Sequence, residues 1–178
     1  PIDGRYFPIA AGDLDTLSAA IGPEIWSLAN DADNKVSRRA IAVLQSIKPN
    51  KAQRDQVAGF VLDEGQRSAV RKAWLRWLRK QDLALFTSVG VKALYSKSPE
   101  LRVVAAQELT GAKQGRSAVN SYLLATLKNS GDTVELQRAI KMVPRLPSKK
   151  SIIEQLVKEL IAGRIAPDIQ LEVLETAT

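Results

Sequence analysis

The sequence predicts an all-α fold, an α-solenoid of stacked antiparallel helix pairs with about four to five repeats. Three observations lead there. Apolar residues recur at the helical spacing i, i+3, i+4 and i+7 in segments of 10 to 16 residues, and strand-like alternation is nowhere sustained. Short polar connectors separate these segments, at Asp33-Asn34, Lys48-Pro49-Asn50, Glu64-Gly65, Ser98-Pro99, Ser130-Gly131-Asp132, Pro147-Ser148 and Ala166-Pro167. The segments also return at a common interval of about 34 residues, which independent helices have no reason to keep.

The interval fixes a register. Starts at Val36, Val70, Leu101, Glu135 and Ile169 lie 34, 31, 34 and 34 residues apart. The residues four, five and eight positions on from each start are all apolar. They are Ala40, Ile41 and Leu44; Trp74, Leu75 and Leu78; Ala105, Ala106 and Leu109; Ala139, Ile140 and Val143; and Val173, Leu174 and Ala177. A second helix follows each of the first four starts, near Gln53–Leu62, Leu83–Tyr95, Ala118–Leu127 and Ser151–Ala162. A lone pair of this kind cannot bury its apolar faces, so neighbouring pairs must stack.

Residues 1–33 break the pattern and read as an extended segment with capping helices, ahead of a repeat region at 34–178. Within the first part, Pro1–Ala11 reads as extended chain, and Leu14–Ala19 and Glu24–Leu28 as short helices parted by Gly22-Pro23. Pro144 removes a backbone donor, so its helix is expected to stop near Val143 or kink there.

The Ala-rich first helix Leu101-Arg-Val-Val-Ala-Ala-Gln-Glu-Leu109, paired with a shorter second helix in a unit of a little over thirty residues, resembles HEAT-type (HEAT/armadillo-like) repeats over residues 34–178. The tetratricopeptide pattern of Trp, Gly and Tyr is not reproduced. The tail, residues 161–177, resembles the helical segment that precedes the c-type cytochrome domain of large planctomycete-type haem-binding proteins, many of which also carry a dehydrogenase-like propeller. That resemblance implies a spacer or docking module of an exported redox protein, periplasmic or otherwise outside the cytoplasm. The Cys-x-x-Cys-His attachment motif is absent here, so no haem ligand carries over. A start at Pro1 without Met adds the expectation that the chain is a segment of something larger.

Composition narrows the chemistry further. With no Cys and no His there is no thiolate or imidazole zinc site, no Cys nucleophile and no Ser-His-Asp triad, so no cofactor or metal is expected in this segment. No apolar run is long enough to span a bilayer. Paired carboxylates for acid-base work are represented only by Asp13 with Asp15 and Asp31 with Asp33, which read better as helix caps and turn residues. Asp31-Ala-Asp-Asn-Lys35 lacks the Gly and terminal Glu of a calcium loop, and Gly111–Ser117 follows a helix instead of a strand, so it reads as a turn and not a phosphate loop.

Charge supplies the candidate surface. Of the net +7, residues 65–80 contribute six basic groups and no acid, leaving +1 for the rest of the chain. On a helical wheel Trp74 and Trp77 flank the centre of the apolar face of Ser68–Lys80, while Lys72, Arg76, Arg79 and Lys80 lie opposite. That geometry favours buried indoles beneath a solvated basic face over base stacking or membrane contact. With Arg38, Arg39, Arg138 and Lys141 on equivalent helices, these cations form the candidate interaction surface, interrupted at Val103 and Val104. The leading functional expectation is a non-catalytic scaffold or protein-interaction module whose partner is another protein or a neighbouring domain. The alternative is a nucleic-acid-binding repeat protein, with DNA repair among its roles, using the basic helix 67–80.

Overall fold

A computed structural model describes residues 24–129, 131–146 and 149–177. Among them the protein is all-helical, with no strand. The expected extended segment 1–11, the helix Leu14–Ala19 and the Asp13 cap lie outside the described residues, whereas residues 24–28 are helical. Nine further α-helices follow among the described residues. They are α1 (Asn34–Leu44), α2 (Lys51–Leu62), α3 (Ser68–Gln81), α4 (Leu83–Ala93), α5 (Pro99–Thr110), α6 (Arg116–Asn129), α7 (Thr133–Ile140), α8 (Lys149–Ile161) and α9 (Pro167–Ala177). None is long and apolar enough to cross a membrane.

Short polar side chains set where these helices begin. Asp33, Asn50, Asp82, Ser98 and Asp132 each accept a hydrogen bond from a backbone N–H of the first turn they precede. At α2 the arrangement is a full capping box, with Gln53 answering back to Asn50 N at 2.8 Å. Asp82 alone joins α3 to α4, ending the first and capping the second, so the chain reverses within one residue. Asp31 and Asp33 are turn and cap residues as expected, and Lys113–Gly115 is a 3₁₀ turn between α5 and α6. After α8 the backbone turns through Gly163 at φ +68°, a left-handed conformation that costs glycine least.

Pro144 has a stronger effect than its position alone suggested. Helix α7 already ends at Ile140, short of Val143, and Pro144 sits inside a separate 3₁₀ turn at Val143–Arg145. A proline ring clashes with the carbonyl of the residue four before it, here Ile140, so the chain leaves the α conformation at that point.

Packing follows the 34-residue register. From α2 to α7 each helix packs on the next, as α8 does on α9, and the alternate helices α1, α3, α5, α7 and α9 also pack each on the next, so the five starts read from the sequence fall on one row. The residues four, five and eight on from each start are buried, except Leu174 and Ala177 on α9. At the starts themselves Val70, Leu101 and Ile169 are buried, Val36 is exposed and Glu135 is buried despite its charge.

The aromatic core is concentrated at one place. Trp26 stacks on Trp74 at 5.3 Å and meets Trp77 edge-on at 5.9 Å, Trp74 and Trp77 are perpendicular at 5.6 Å, and Phe60 covers Trp74. Both α3 indoles are fully buried, which matches the wheel. Neither indole N–H has an acceptor among the described residues, so their contribution is apolar area and ring geometry.

Two glycines should respond oppositely to alanine. A Cβ on Gly59, inside α2, would meet nothing within 4 Å, whereas one on Gly115 would lie 2.7 Å from Cδ2 and 3.1 Å from Cβ of the buried Leu109. Gly59→Ala is expected to raise stability by about 0.5–1 kcal/mol through helix propensity. Gly115→Ala is expected to lower it by about 1–3 kcal/mol through overpacking. Thermal unfolding of the two variants beside the parent checks both signs.

Candidate interaction face and the buried ion pairs behind it

The outer charges of the basic helix α3 are exposed or partly exposed but tied to neighbouring segments. Arg67 donates to the carbonyls of Asp31 and Ala32 and to Asn34 Oδ1, tying the start of α3 to the turn before α1. Lys80 donates to Gln45 Oε1 at 2.6 Å, at the end of α1. Toward α5, Lys72 pairs with Glu100, while Arg76 (3.1 Å) and Arg79 share Glu108. The expected solvated face is therefore a set of half-exposed inter-helix bridges. The wheel identified the direction of these side chains correctly, but it carried no information about the acids on the next helix.

Arg71, which the wheel does not place on the outer face, is the basic residue of α3 that turns inward. Its guanidinium is 2% exposed and fixed at 2.8 Å to the Val61 carbonyl, with two further bonds of 2.8 and 3.0 Å to the two oxygens of Glu64. The fork geometry suits a carboxylate in a way that lysine cannot copy. Hydrogen bonding from Arg71, opposed by burial and supported by Ser96 and Lys97, holds the Glu64 carboxyl down at about 2.

One unit further on the arrangement recurs. Arg102, like Arg71, stands one position after a start; it grips Glu135 through Nε (2.7 Å) and Nη2 (2.6 Å) and the Ser96 carbonyl through Nη1 (2.7 Å). Tyr122 donates to Glu135 at 2.8 Å, and burial followed by that carboxylate pushes its phenol up from the ordinary range. Glu135 is thus a charge at a core position, tolerated because three donors surround it. The cluster borders an open cavity of about 640 Å³ between the ends of α4, α5, α6 and α7, flanked by exposed Tyr95. Sequence reading missed this site. Its only trace was an acid at a position where the other starts are aliphatic.

On the row of alternate helices, four of the candidate cations come together. Arg38 of α1, Lys72 and Arg76 of α3 and Arg138 of α7 line one cavity of about 380 Å³. Its other walls are the small side chains Ala69, Ala73 and Val104, with the amide of Gln107. Val104, read as an interruption of the basic pattern, is part of this wall. Arg39, Arg79, Lys80 and Lys141 lie outside the lining, Arg39 and Lys141 being exposed. Arg38 donates to the Asn34 carbonyl of its own helix at 3.2 Å. Arg138 contributes to the field of Glu100 and borders a smaller hollow with Glu100 and Asp132. No group of three or more metal-ligating side chains occurs among the described residues.

Comparisons with protein-family models, curated proteins and solved structures find no match.

Two measurements probe these ion pairs. Arg102→Ala leaves the Glu135 carboxylate, itself 1% exposed, without its main partner and is expected to cost about 3–5 kcal/mol; denaturant unfolding reads that loss. For Glu64 the folded pKa is depressed, so its contribution is complete above its unfolded value near 4.5 and is lost as pH falls toward about 2. Glu64→Gln is therefore expected to be less stable than the parent at neutral pH, with the difference shrinking through that acidic window in pH-dependent unfolding curves.

Proposed function

We propose that this chain is a non-catalytic α-solenoid of HEAT type that binds a partner through the exposed face of its alternate helices. One observation carries the reading. Positions four, five and eight of the first four units are committed to the core, whereas positions two, three and six supply Arg38, Lys72, Ala73, Arg76, Val104, Gln107 and Arg138 to a single shared cavity. The long polar members of the second set, Arg38, Lys72, Arg76, Gln107 and Arg138, can change without disturbing the first, while Val104 belongs to the core as well as to the cavity wall. Changeable outer positions of this kind are how stacked repeats acquire partners. The acids with depressed pKa values also serve structure: Glu64 is bound to Arg71, Glu100 to Lys72 and Glu159 to Arg164.

The partner in this reading is a protein or a neighbouring domain of the same polypeptide. The resemblance of residues 161–177 to the segment before a c-type cytochrome domain supports a redox domain of an exported protein as one such neighbour. A photo-crosslinking residue at Gln107, in the cavity wall, is expected to capture the partner in the source cell, and one at exposed Lys92 on α4 is not. Equal labelling from both positions would remove the claim that this face is the one used.

A second reading, nucleic-acid binding, is favoured by the convergence of four cations from three helices on one cavity. It requires oligonucleotide affinity that falls steeply with salt and drops on replacing Arg76 and Arg79. Absence of binding at low salt would end it.

A further inference from the structure

We propose that the cavity between α1, α3, α5 and α7 is a binding site for one phosphate monoester group, carried by a small phosphorylated molecule. The geometry is that of a basic rim over a small-residue floor. Ala69, Ala73 and Val104 leave the space, while Arg38, Lys72, Arg76 and Arg138 reach it on long stems and Gln107 adds a neutral amide. At about 380 Å³ the space lies in the lower range of small-ligand pockets.

Two of the four cations are fixed before any ligand arrives. Lys72 is held by Glu100, and Arg76 by Glu108, from the α5 side. Their positions are therefore set by the fold, which lowers the ordering cost of binding. No side-chain carboxylate is ion-paired with Arg38 or Arg138 among the described residues. Four cations less Glu100 and Glu108 leave two positive charges, or one when Asp132 beside Arg138 is counted, and Glu108 is itself divided between Arg76 and Arg79.

That surplus selects the class of anion. A phosphate monoester carries about −1.5 to −2 at neutral pH, with three acceptor oxygens for several donors at once. A backbone phosphodiester carries a single charge, and a nucleic-acid strand needs a basic track that continues from unit to unit. Here the track ends. The equivalent positions on α9 are Leu171, Glu172 and Glu175, so the sign reverses in the fifth unit. The site lies within the face assigned above to a partner, but its chemistry does not depend on that assignment.

The test is calorimetric titration of the whole chain at low salt with inorganic phosphate, with a sugar phosphate monoester and with a single-stranded oligonucleotide. Saturable one-to-one binding of phosphate and of the monoester, each displacing the other, is expected. Arg38→Gln and Arg138→Gln should each weaken it about tenfold or more, with unchanged helical circular dichroism, and the charge-matched control Lys92→Gln should leave it unchanged. The site is refuted by absence of saturable phosphate binding, by an equal loss in Lys92→Gln, or by oligonucleotide binding that phosphate does not displace. None of these results bears on the crosslinking at Gln107, so the partner reading stands or falls separately.

Discussion

Two inward-turned arginines, Arg71 buried and Arg102 partly buried, set the spacing of the helix stack. Arg71 and Arg102 occupy the same place in successive units, one position after the start of an alternate helix. Each turns its guanidinium inward to a carbonyl at the end of an earlier segment, Val61 for the first and Ser96 for the second. The two are joined, because Glu64 accepts from Arg71 and from the Ser96 and Lys97 turn, while the Ser96 carbonyl accepts from Arg102, which in turn holds Glu135 and Tyr122. A chain of charge-assisted bonds thus links four successive units. Apolar contacts tolerate sliding by a fraction of a turn, but a bidentate fork does not, so these bonds fix how far each unit is advanced on the last. Replacing such a pair with apolar residues need not reduce stability, and the role we assign to it is one of register.

What the sequence revealed follows from that division of labour. The apolar positions repeat because every unit must fill the same kind of space, and a repeating pattern can be read without knowing the partner of any residue. Trp74 and Trp77 were legible for that reason. The polar partners do not repeat in the same way: Arg71 finds Glu64 seven residues back, whereas Arg102 finds Glu135 thirty-three residues ahead. One side chain of the sequence says "arginine" in both cases and gives no direction. The same limit explains why Lys72, Arg76 and Arg79 read as solvated: their acids, Glu100 and Glu108, are one unit away and enter contact only once α5 has stacked on α3.

The basic cluster of residues 65–80 consequently has two roles that charge counting merges. Arg67, Arg71, Arg79 and Lys80 bind other parts of the fold and stand outside the cavity on the alternate-helix face. Lys72 and Arg76 do both, bridging to α5 while lining that cavity. Exposed bridges of this type are worth little to stability, on the order of 0–1 kcal/mol each. Their larger effect is positional. An acid one helix away holds a cation at a fixed place on the rim, where an unpaired lysine would sweep through solvent.

The limits of the face follow from the same repeat geometry. Units one, two and four present Arg38, Lys72, Arg76 and Arg138 at the outward positions, unit three presents Val103, Val104 and Gln107, and α9 presents Leu171, Glu172 and Glu175 at the equivalent ones. Since the core positions are filled by apolar residues throughout, this reversal costs the stack nothing. It confines positive potential to one hollow flanked by an acidic end, and such a field favours a compact, highly charged group over an extended polyanion, which would have to cross both signs. The two small alanines of α3 and Val104 of α5 complete the selection by leaving room only between the long basic stems. Separation of core from face lets the stack keep one hydrophobic repeat while its charge changes from unit to unit, and in this chain the change of sign itself marks where a ligand's charge must end.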